Sequence, residues 1–102
     1  MTDRLAHDAV DAALVVMPEW ERADGAITAT YAMPTFPIGI LLVDRAAELA
    51  EAANHHPDIN VRWRRVTFLL TTHDSGGLTT RDLSLAEGIH AAALALGWDP
   101  AA

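Results

Sequence analysis

Cysteine is absent from this chain of 102 residues. Its absence excludes a disulfide framework, a zinc–thiolate site and a thiol nucleophile, and it fits a reducing compartment. The chain also lacks a run of about 18 uncharged apolar residues, so we expect no transmembrane helix. The N-terminal stretch MTDRLAHDAVDAAL has no basic start followed by an apolar core, which argues against a signal peptide. Together these absences predict a cytoplasmic protein without a membrane partner.

Positive charge is scarce, since 7 Lys and Arg stand against 14 Asp and Glu, and the formal net charge is −7 at pH 7. An acidic domain repels phosphate backbones, and nucleic-acid binding rests largely on counterion release by Lys and Arg. We therefore expect no nucleic-acid partner. The densest basic run, RWRR at residues 62–65, has two interpretations. It could clamp an anion or a base, or it could be the solvated face of a strand, which we favour because Arg is mostly exposed.

Three segments show the periodicity of amphipathic helices, with apolar residues three and four positions apart. The first spans residues 3 to about 16, and the second spans residues 38 to about 54. The second helix should end there because the proline at position 57 disfavours α geometry in the residue before it. The third helix follows Thr79 and Asp82, which match the capping box that opens a helix with a hydroxyl and, three residues on, a carboxylate.

The segments between the helices favour β-strands. Residues 19–33 contain an Asp-Gly turn signal between β-forming residues, which predicts a hairpin. Residues 59–72 are rich in β-branched and aromatic side chains and form either one bent strand or two strands joined near Arg64. The element order is therefore α-β-β-α-β-β-α. We predict a single domain over residues 1–102 of the α+β class, with a four-stranded antiparallel sheet and the helices packed on one face.

Three histidines lie where predicted elements end. His55 falls at the end of the second helix, where carbonyl dipoles favour a cationic ring. Glu51 lies one helical turn earlier on the same face, so we predict that Glu51 orients His55. His56 should be extended, with its ring directed elsewhere. His73 ends a strand and opens a glycine loop with Asp74 beside it, and polar loop residues on a rigid scaffold are often functional.

Three interpretations of the histidines compete. They could be surface or capping residues. They could bind a metal, since some zinc enzymes use three His ligands. However, adjacent histidines seldom face one ion, and the familiar ligand spacings are missing. The third interpretation is metal-free general acid–base catalysis, which needs one proton donor and one acceptor on opposite sides of a substrate. His55 and His73 fit this requirement, so we favour it.

The stretches AEAANHHPDI and VRWRRVTFLLTTHDSGGLTTRDLSLA resemble the pterin-4a-carbinolamine dehydratase family. The resemblance is dense over residues 48–89 and continuous from Trp20. It departs from the family where Trp63 replaces the usual tyrosine and Glu19 the usual glycine. The positions that fit the family signature are Glu51, His55, His56, Pro57, Trp63, Val66, Leu70, Thr72, His73, Gly77, Leu78 and Asp82.

The resemblance implies an activity. Members remove water from 4a-hydroxytetrahydropterin, such as 4a-hydroxytetrahydrobiopterin, and give quinonoid dihydropterin, which is recycled after aromatic amino-acid hydroxylation. It implies no metal or other cofactor, a homodimer or homotetramer, and a possible aromatic amino-acid hydroxylase in the same pathway. The alternative is a non-catalytic dimerisation or assembly cofactor that binds a protein partner, because some members of the family have such roles.

The resemblance also assigns roles to residues. His55 and His73 would be the acid–base pair, with Glu51 orienting His55 and His56 binding the pterin. The other positions expected at or near the bound substrate are Trp20, Pro57, Asp74, Arg81 and Asp82.

Overall fold

A computed structural model describes residues 5–101 of the chain. These residues form three α-helices and a four-stranded antiparallel sheet in the order β1-β2-β4-β3. The predicted α+β class and element order are confirmed. The elements are α1 His7–Val15, β1 Glu21–Ala23, β2 Ala26–Ala32, α2 Phe36–Ala53, β3 Asp58–Arg62, β4 Arg65–Leu70, a short 3-10 helix His73–Ser75, and α3 Thr80–Ala95.

The element boundaries follow from local backbone chemistry. The predicted start of the first helix, at residue 3, lies outside the described residues, and α1 begins at His7. The first hairpin turns at Asp24 and Gly25, both with positive φ, as the favoured two-residue hairpin turns require. The second strand region is two strands, β3 and β4, joined by a turn in which Trp63 has a φ of 55°. The alternative with a single bent strand was therefore wrong.

The two faces of the sheet differ in polarity. Alternate residues of β2 and β4 are buried under the helices, and they form the core together with apolar side chains of the helices. The opposite face carries hydroxyl side chains, and Thr30 and Thr67 share a hydrogen bond of 2.7 Å across it. The buried residues of this alternating pattern are Ile27, Ala29, Tyr31, Val66, Phe68 and Leu70.

The basic run lies at the tip of the β3–β4 hairpin. Arg62 and Arg65 are exposed and pair across the strands, while Arg64 donates to the Met33 carbonyl at 2.9 Å. Trp63 is 72% exposed, and the Arg64 guanidinium lies 5.4 Å from the centre of its ring. These positions support a solvated strand end. Among the helices of residues 5–101, none combines the length and apolar character needed to cross a bilayer.

A chain of hydrogen bonds crosses the core between the sheet and α3. The Trp20 Nε1–H donates to the Tyr31 hydroxyl at 2.7 Å, and that hydroxyl lies 2.8 Å from Nδ1 of His90. The indole N–H can only donate, so the Tyr31 hydroxyl accepts from Trp20, and Nδ1 of His90 is the acceptor within reach of the hydroxyl's own hydrogen. This satisfies the polar atoms of a fully buried tyrosine, which would otherwise cost stability.

Tyr31 should govern stability at alkaline pH. Burial raises the pKa of Tyr31 above its ordinary value of about 10, so the unfolded chain loses this proton at a lower pH than the native protein. The stabilisation is therefore complete below about pH 10 and is lost as the pH rises further. We expect the free energy of unfolding, measured in urea, to fall with pH above this value more steeply in the wild type than in Tyr31→Phe.

The comparison is unusually clean because Tyr31 is the only tyrosine and the sequence contains no lysine. The substitution also removes two hydrogen bonds at every pH and costs about 1–3 kcal/mol at neutral pH. The slopes are therefore compared rather than the absolute values. Parallel slopes for the two proteins would contradict this role of Tyr31.

Candidate active site

The end of α2 delivers His55 into the protein interior. Asn54 follows the helix with φ 49° and ψ 46°, the left-handed conformation that asparagine tolerates better than most residues. The His55 N–H donates to the Ala50 carbonyl at 3.0 Å and the Asn54 N–H to the Glu51 carbonyl at 3.2 Å, the pattern of a Schellman helix end. This turn directs the His55 side chain inward, where the residue is only 7% exposed.

A buried carboxylate receives His55. Oδ1 of Asp82 lies 2.6 Å from Nε2 of His55, and Asp82 is fully buried. Its other oxygen accepts the Thr72 hydroxyl at 2.7 Å and the Thr79 backbone N–H at 2.9 Å. The last of these bonds belongs to the predicted capping box, which is confirmed. One carboxylate therefore both caps α3 and anchors the histidine at the end of α2.

The contact with Asp82 determines which nitrogen of His55 is available. An ionised carboxylate only accepts hydrogen bonds, so Nε2 of His55 carries the hydrogen. In the neutral ring Nδ1 is then an acceptor. Nδ1 has no hydrogen-bond partner among residues 5–101, and no buried side-chain nitrogen or oxygen in that range lacks one, so Nδ1 reaches solvent. The ring is therefore held by Asp82 through Nε2, and its Nδ1 presents a lone pair to solvent.

The adjacent histidine has a different partner. Nε2 of His56 lies 2.6 Å from Oε2 of Glu51, and both side chains are largely exposed. The predicted pairing of Glu51 with His55 is therefore wrong. The spacing argument assumed that the helix continues through position 55. The left-handed turn at Asn54 instead directs His55 into the interior and places the His56 ring beside Glu51 in the last helical turn.

A cavity of about 220 Å³ lies in front of these residues. The 3-10 turn after β4 places His73 and Asp74 on its rim, both exposed. Arg81 closes another side, with Nη2 donating to the Asn54 carbonyl at 2.7 Å, which ties the first turn of α3 to the end of α2. The lining residues are Asn54, His55, His56, Thr71, Thr72, His73, Asp74 and Arg81.

Three expected substrate contacts lie elsewhere. Asp82 is fully buried behind His55 and does not line the cavity, so it acts there through the residues that it bonds, His55 and Thr72. Trp20 does not line the cavity, because its indole packs in the core against Tyr31 and Phe68 with its N–H already bonded. Pro57 is half-buried before β3 and also does not line the cavity. It lies between the end of α2 and the start of β3.

Three residues that line the cavity were not singled out as functional from the sequence: Asn54, Thr71 and Thr72. Thr72 supplies a hydroxyl to Asp82, and Asn54 supplies the turn that admits His55. The sequence held a signal for Thr72 and for Asn54. Thr72 directly precedes His73, and Asn is a residue type that ends helices in the left-handed conformation. Within residues 5–101, no three His, Cys, Asp or Glu side chains are placed to hold a metal ion.

The fold and site define a small α+β protein in which histidines from a helix end and a strand end share one open cavity. Residues 3–92 match the family model described as pterin 4 alpha carbinolamine dehydratase. The chain belongs to this family.

Relatives in sequence agree with this assignment. A protein of Mycolicibacterium smegmatis is 54% identical over 86 residues, which cover 84% of this chain and 92% of its own. One of Nocardia farcinica is 50% identical over 88 residues, covering 86% and 93%. The names of both assign pterin-4-alpha-carbinolamine dehydratase activity provisionally.

Two solved structures share the fold. The transcriptional coactivator/pterin dehydratase from Brucella melitensis superposes with a TM-score of 0.85 and 30% identity over 89% of this chain and 99% of its own. A pterin dehydratase-like protein described as a RuBisCO assembly factor in the alpha-carboxysome gives a TM-score of 0.61 and 20% identity over 78% and 89%. The second likeness concerns the fold alone.

Asn54 offers a test of how the site is built. A β-branched residue in the left-handed conformation is strained by about 1–2 kcal/mol, whereas glycine is not. We expect Asn54→Val to lower the free energy of unfolding in urea by about this amount and Asn54→Gly to stay near the wild type. Asn60→Val makes the same chemical change in extended strand β3 and should cost nothing measurable. A fully stable Asn54→Val protein would contradict the role of this turn.

Proposed function

We propose that the protein dehydrates a 4a-hydroxytetrahydropterin to quinonoid dihydropterin and water by histidine general acid–base catalysis. The observation that carries the proposal is the placement of His55 and His73 on one cavity, with His55 fixed by a buried carboxylate. Membership in the family supports the choice of substrate. The reaction needs proton transfer at two positions, and the site supplies two imidazoles from separate elements.

The chemistry follows from the carbinolamine group, in which one carbon bears a hydroxyl and a ring nitrogen. An acid protonates the hydroxyl, the carbon–oxygen bond breaks to release water, and the nitrogen lone pair forms a carbon–nitrogen double bond. A base removes a ring N–H proton, so the proton count balances. His55 suits the base because its free Nδ1 faces outward, and exposed His73 suits the acid because it can be reprotonated from solvent.

The remaining cavity residues would bind the pterin. His56 is held by Glu51 and is free to contact the ligand through its other ring nitrogen. Arg81 and Asp74 both line the cavity and bring it a hydrogen-bond donor group and an acceptor group. These groups complement a heterocycle that carries both N–H donors and carbonyl acceptors. The proposal includes the assignment as a lyase that recycles tetrahydrobiopterin in the cytoplasm, as a homodimer or homotetramer beside an aromatic amino-acid hydroxylase.

Replacement of either histidine tests the proposed roles. General acid or base groups contribute about 10²- to 10⁴-fold to rate, so His55→Ala and His73→Ala should each lower kcat for 4a-hydroxytetrahydropterin dehydration by at least the lower figure. His7→Ala is the matched control, because His7 is exposed on α1 and does not line the cavity. A folded His73→Ala protein with the wild-type rate would remove His73 from catalysis.

Chelation tests the metal-free part of the proposal. The rate of the purified protein should be unchanged after prolonged treatment with EDTA and gel filtration, because both proton transfers are assigned to imidazoles. The spectrophotometric dehydratase assay used for the variants serves here as well. Activity that disappears with EDTA and returns with added Zn²⁺ would contradict an all-histidine mechanism.

A second candidate function is that of a non-catalytic cofactor that binds a protein partner. The similar protein from Brucella melitensis is named a transcriptional coactivator as well as a pterin dehydratase. In this chain α2 exposes the apolar side chains of Phe36, Ile40 and Leu41, which could meet another protein. A wild-type protein that binds no pterin and shows no dehydration above the uncatalysed rate would favour this function over catalysis.

A further inference from the structure

Thr72 lies between the two histidine-bearing parts of the site. It follows strand β4 and directly precedes His73. Its side chain is buried, unlike those of His73 and Asp74 beside it. A hydroxyl in such a position must satisfy its hydrogen-bonding groups inside the protein.

The backbone of Thr72 closes the loop that carries His73. Its N–H donates to the Gly77 carbonyl at 3.2 Å, and its carbonyl accepts the N–H groups of Gly77 at 3.3 Å and Ser75 at 3.1 Å. These three bonds pin both ends of the short turn to one residue. The position of His73 in the cavity therefore depends on where the Thr72 backbone lies.

The side-chain hydroxyl of Thr72 connects this residue to the other histidine, His55, through Asp82. It donates to Oδ2 of Asp82 at 2.7 Å, the carboxylate whose other oxygen holds His55. The Thr79 hydroxyl lies 2.9 Å away and must be the donor in that pair, since the single proton of Thr72 is already committed to the carboxylate. The chain of donors thus runs from Thr79 through Thr72 to Asp82.

We propose that Thr72 is a positioning residue that fixes His55 and His73 relative to each other. Its hydroxyl orients the Asp82 carboxylate on which His55 rests, and its backbone closes the turn that bears His73. The consequence for catalysis rests on the proposed function, because it matters there that the two rings keep one separation across the substrate. The orientation of the His55 ring does not depend on that function.

Substitutions at Thr72 can separate the hydroxyl from the rest of the side chain. Thr72→Val keeps the shape and β-branching but removes the donor, and Thr72→Ser keeps the donor but removes the methyl group. Thr67→Val makes the same change on the outer face of the sheet, where the hydroxyl bonds Thr30 and, within residues 5–101, no other side chain. Circular dichroism confirms folding first, and Thr72→Ala replaces the valine variant if valine is not tolerated.

Two readouts are measured on these proteins. The first is kcat and KM for 4a-hydroxytetrahydropterin dehydration. A displacement of about 1 Å can cost about 10²-fold in rate, so we expect Thr72→Val to lower kcat by roughly 10- to 100-fold with little change in KM. The second is the NMR signal of the His55 Nε2–H, which reports the tautomer held by Asp82. It should weaken or broaden in Thr72→Val and return in Thr72→Ser together with kcat.

The outcomes are distinct. Wild-type kcat and an unchanged His55 signal in Thr72→Val would overturn the proposal. Equal losses in the valine and serine variants would also overturn it, because the methyl group and not the hydroxyl would then matter. If the wild type itself does not dehydrate the pterin, the proposed function fails, while the His55 signal in the same variants still decides whether Thr72 orients this ring.

Discussion

The buried carboxylate of Asp82 joins the ends of three elements. Oδ1 of Asp82 holds His55 at the end of α2. Oδ2 accepts hydrogen bonds from the Thr72 hydroxyl, just after β4, and from the Thr79 backbone N–H, just before α3. A buried charge that loses its partners costs several kcal/mol. Any packing that separated these three chain segments would incur that penalty, so the interaction that completes the fold also builds the cavity.

The same constraint explains why two adjacent histidines can serve different purposes. His55 is buried, rigid and bonded to a carboxylate that is itself fully satisfied. His56 is exposed and bonded to Glu51, which is exposed as well. A contact between two exposed side chains contributes little to stability even when both are charged. The left-handed residue Asn54 makes the difference, because it rotates one ring inward and leaves the next at the surface.

Much of the fold follows from the sequence, because its signals are local. Helix periodicity, the Asp-Gly turn and the capping box of Thr79 and Asp82 each depend on residues a few positions apart. The histidine cluster could also be predicted from the sequence, because helix ends and strand ends in this order meet at one end of an antiparallel sheet. Local patterns did not reveal which carboxylate meets which histidine, because Asp82 and His55 are 27 positions apart and meet only after α2 and α3 pack.

The burial of Trp20 is a second case in which local sequence patterns did not decide the role of a residue. An aromatic residue after a helix can serve a ligand or a core, and only the tertiary contact with the Tyr31 hydroxyl decides between the two. By contrast, the spacing of Thr79 and Asp82 predicted only a capping box, and a place for Asp82 near the substrate was implied by the family resemblance alone. In the structure the same carboxylate has a second use, because Oδ1, the oxygen that the capping box does not use, bonds the His55 ring.

The dehydration rate of Asp82→Asn tests the central claim most directly. The amide keeps the size of the side chain, and its oxygen can still accept from Thr72 and Thr79. Its NH₂ group would then face Nε2 of His55, which forces the hydrogen onto Nδ1 and removes the lone pair from the cavity. We expect a folded protein whose kcat is lower by about 10²-fold or more, the scale of a lost general base. A folded Asp82→Asn protein with the wild-type kcat would contradict the account.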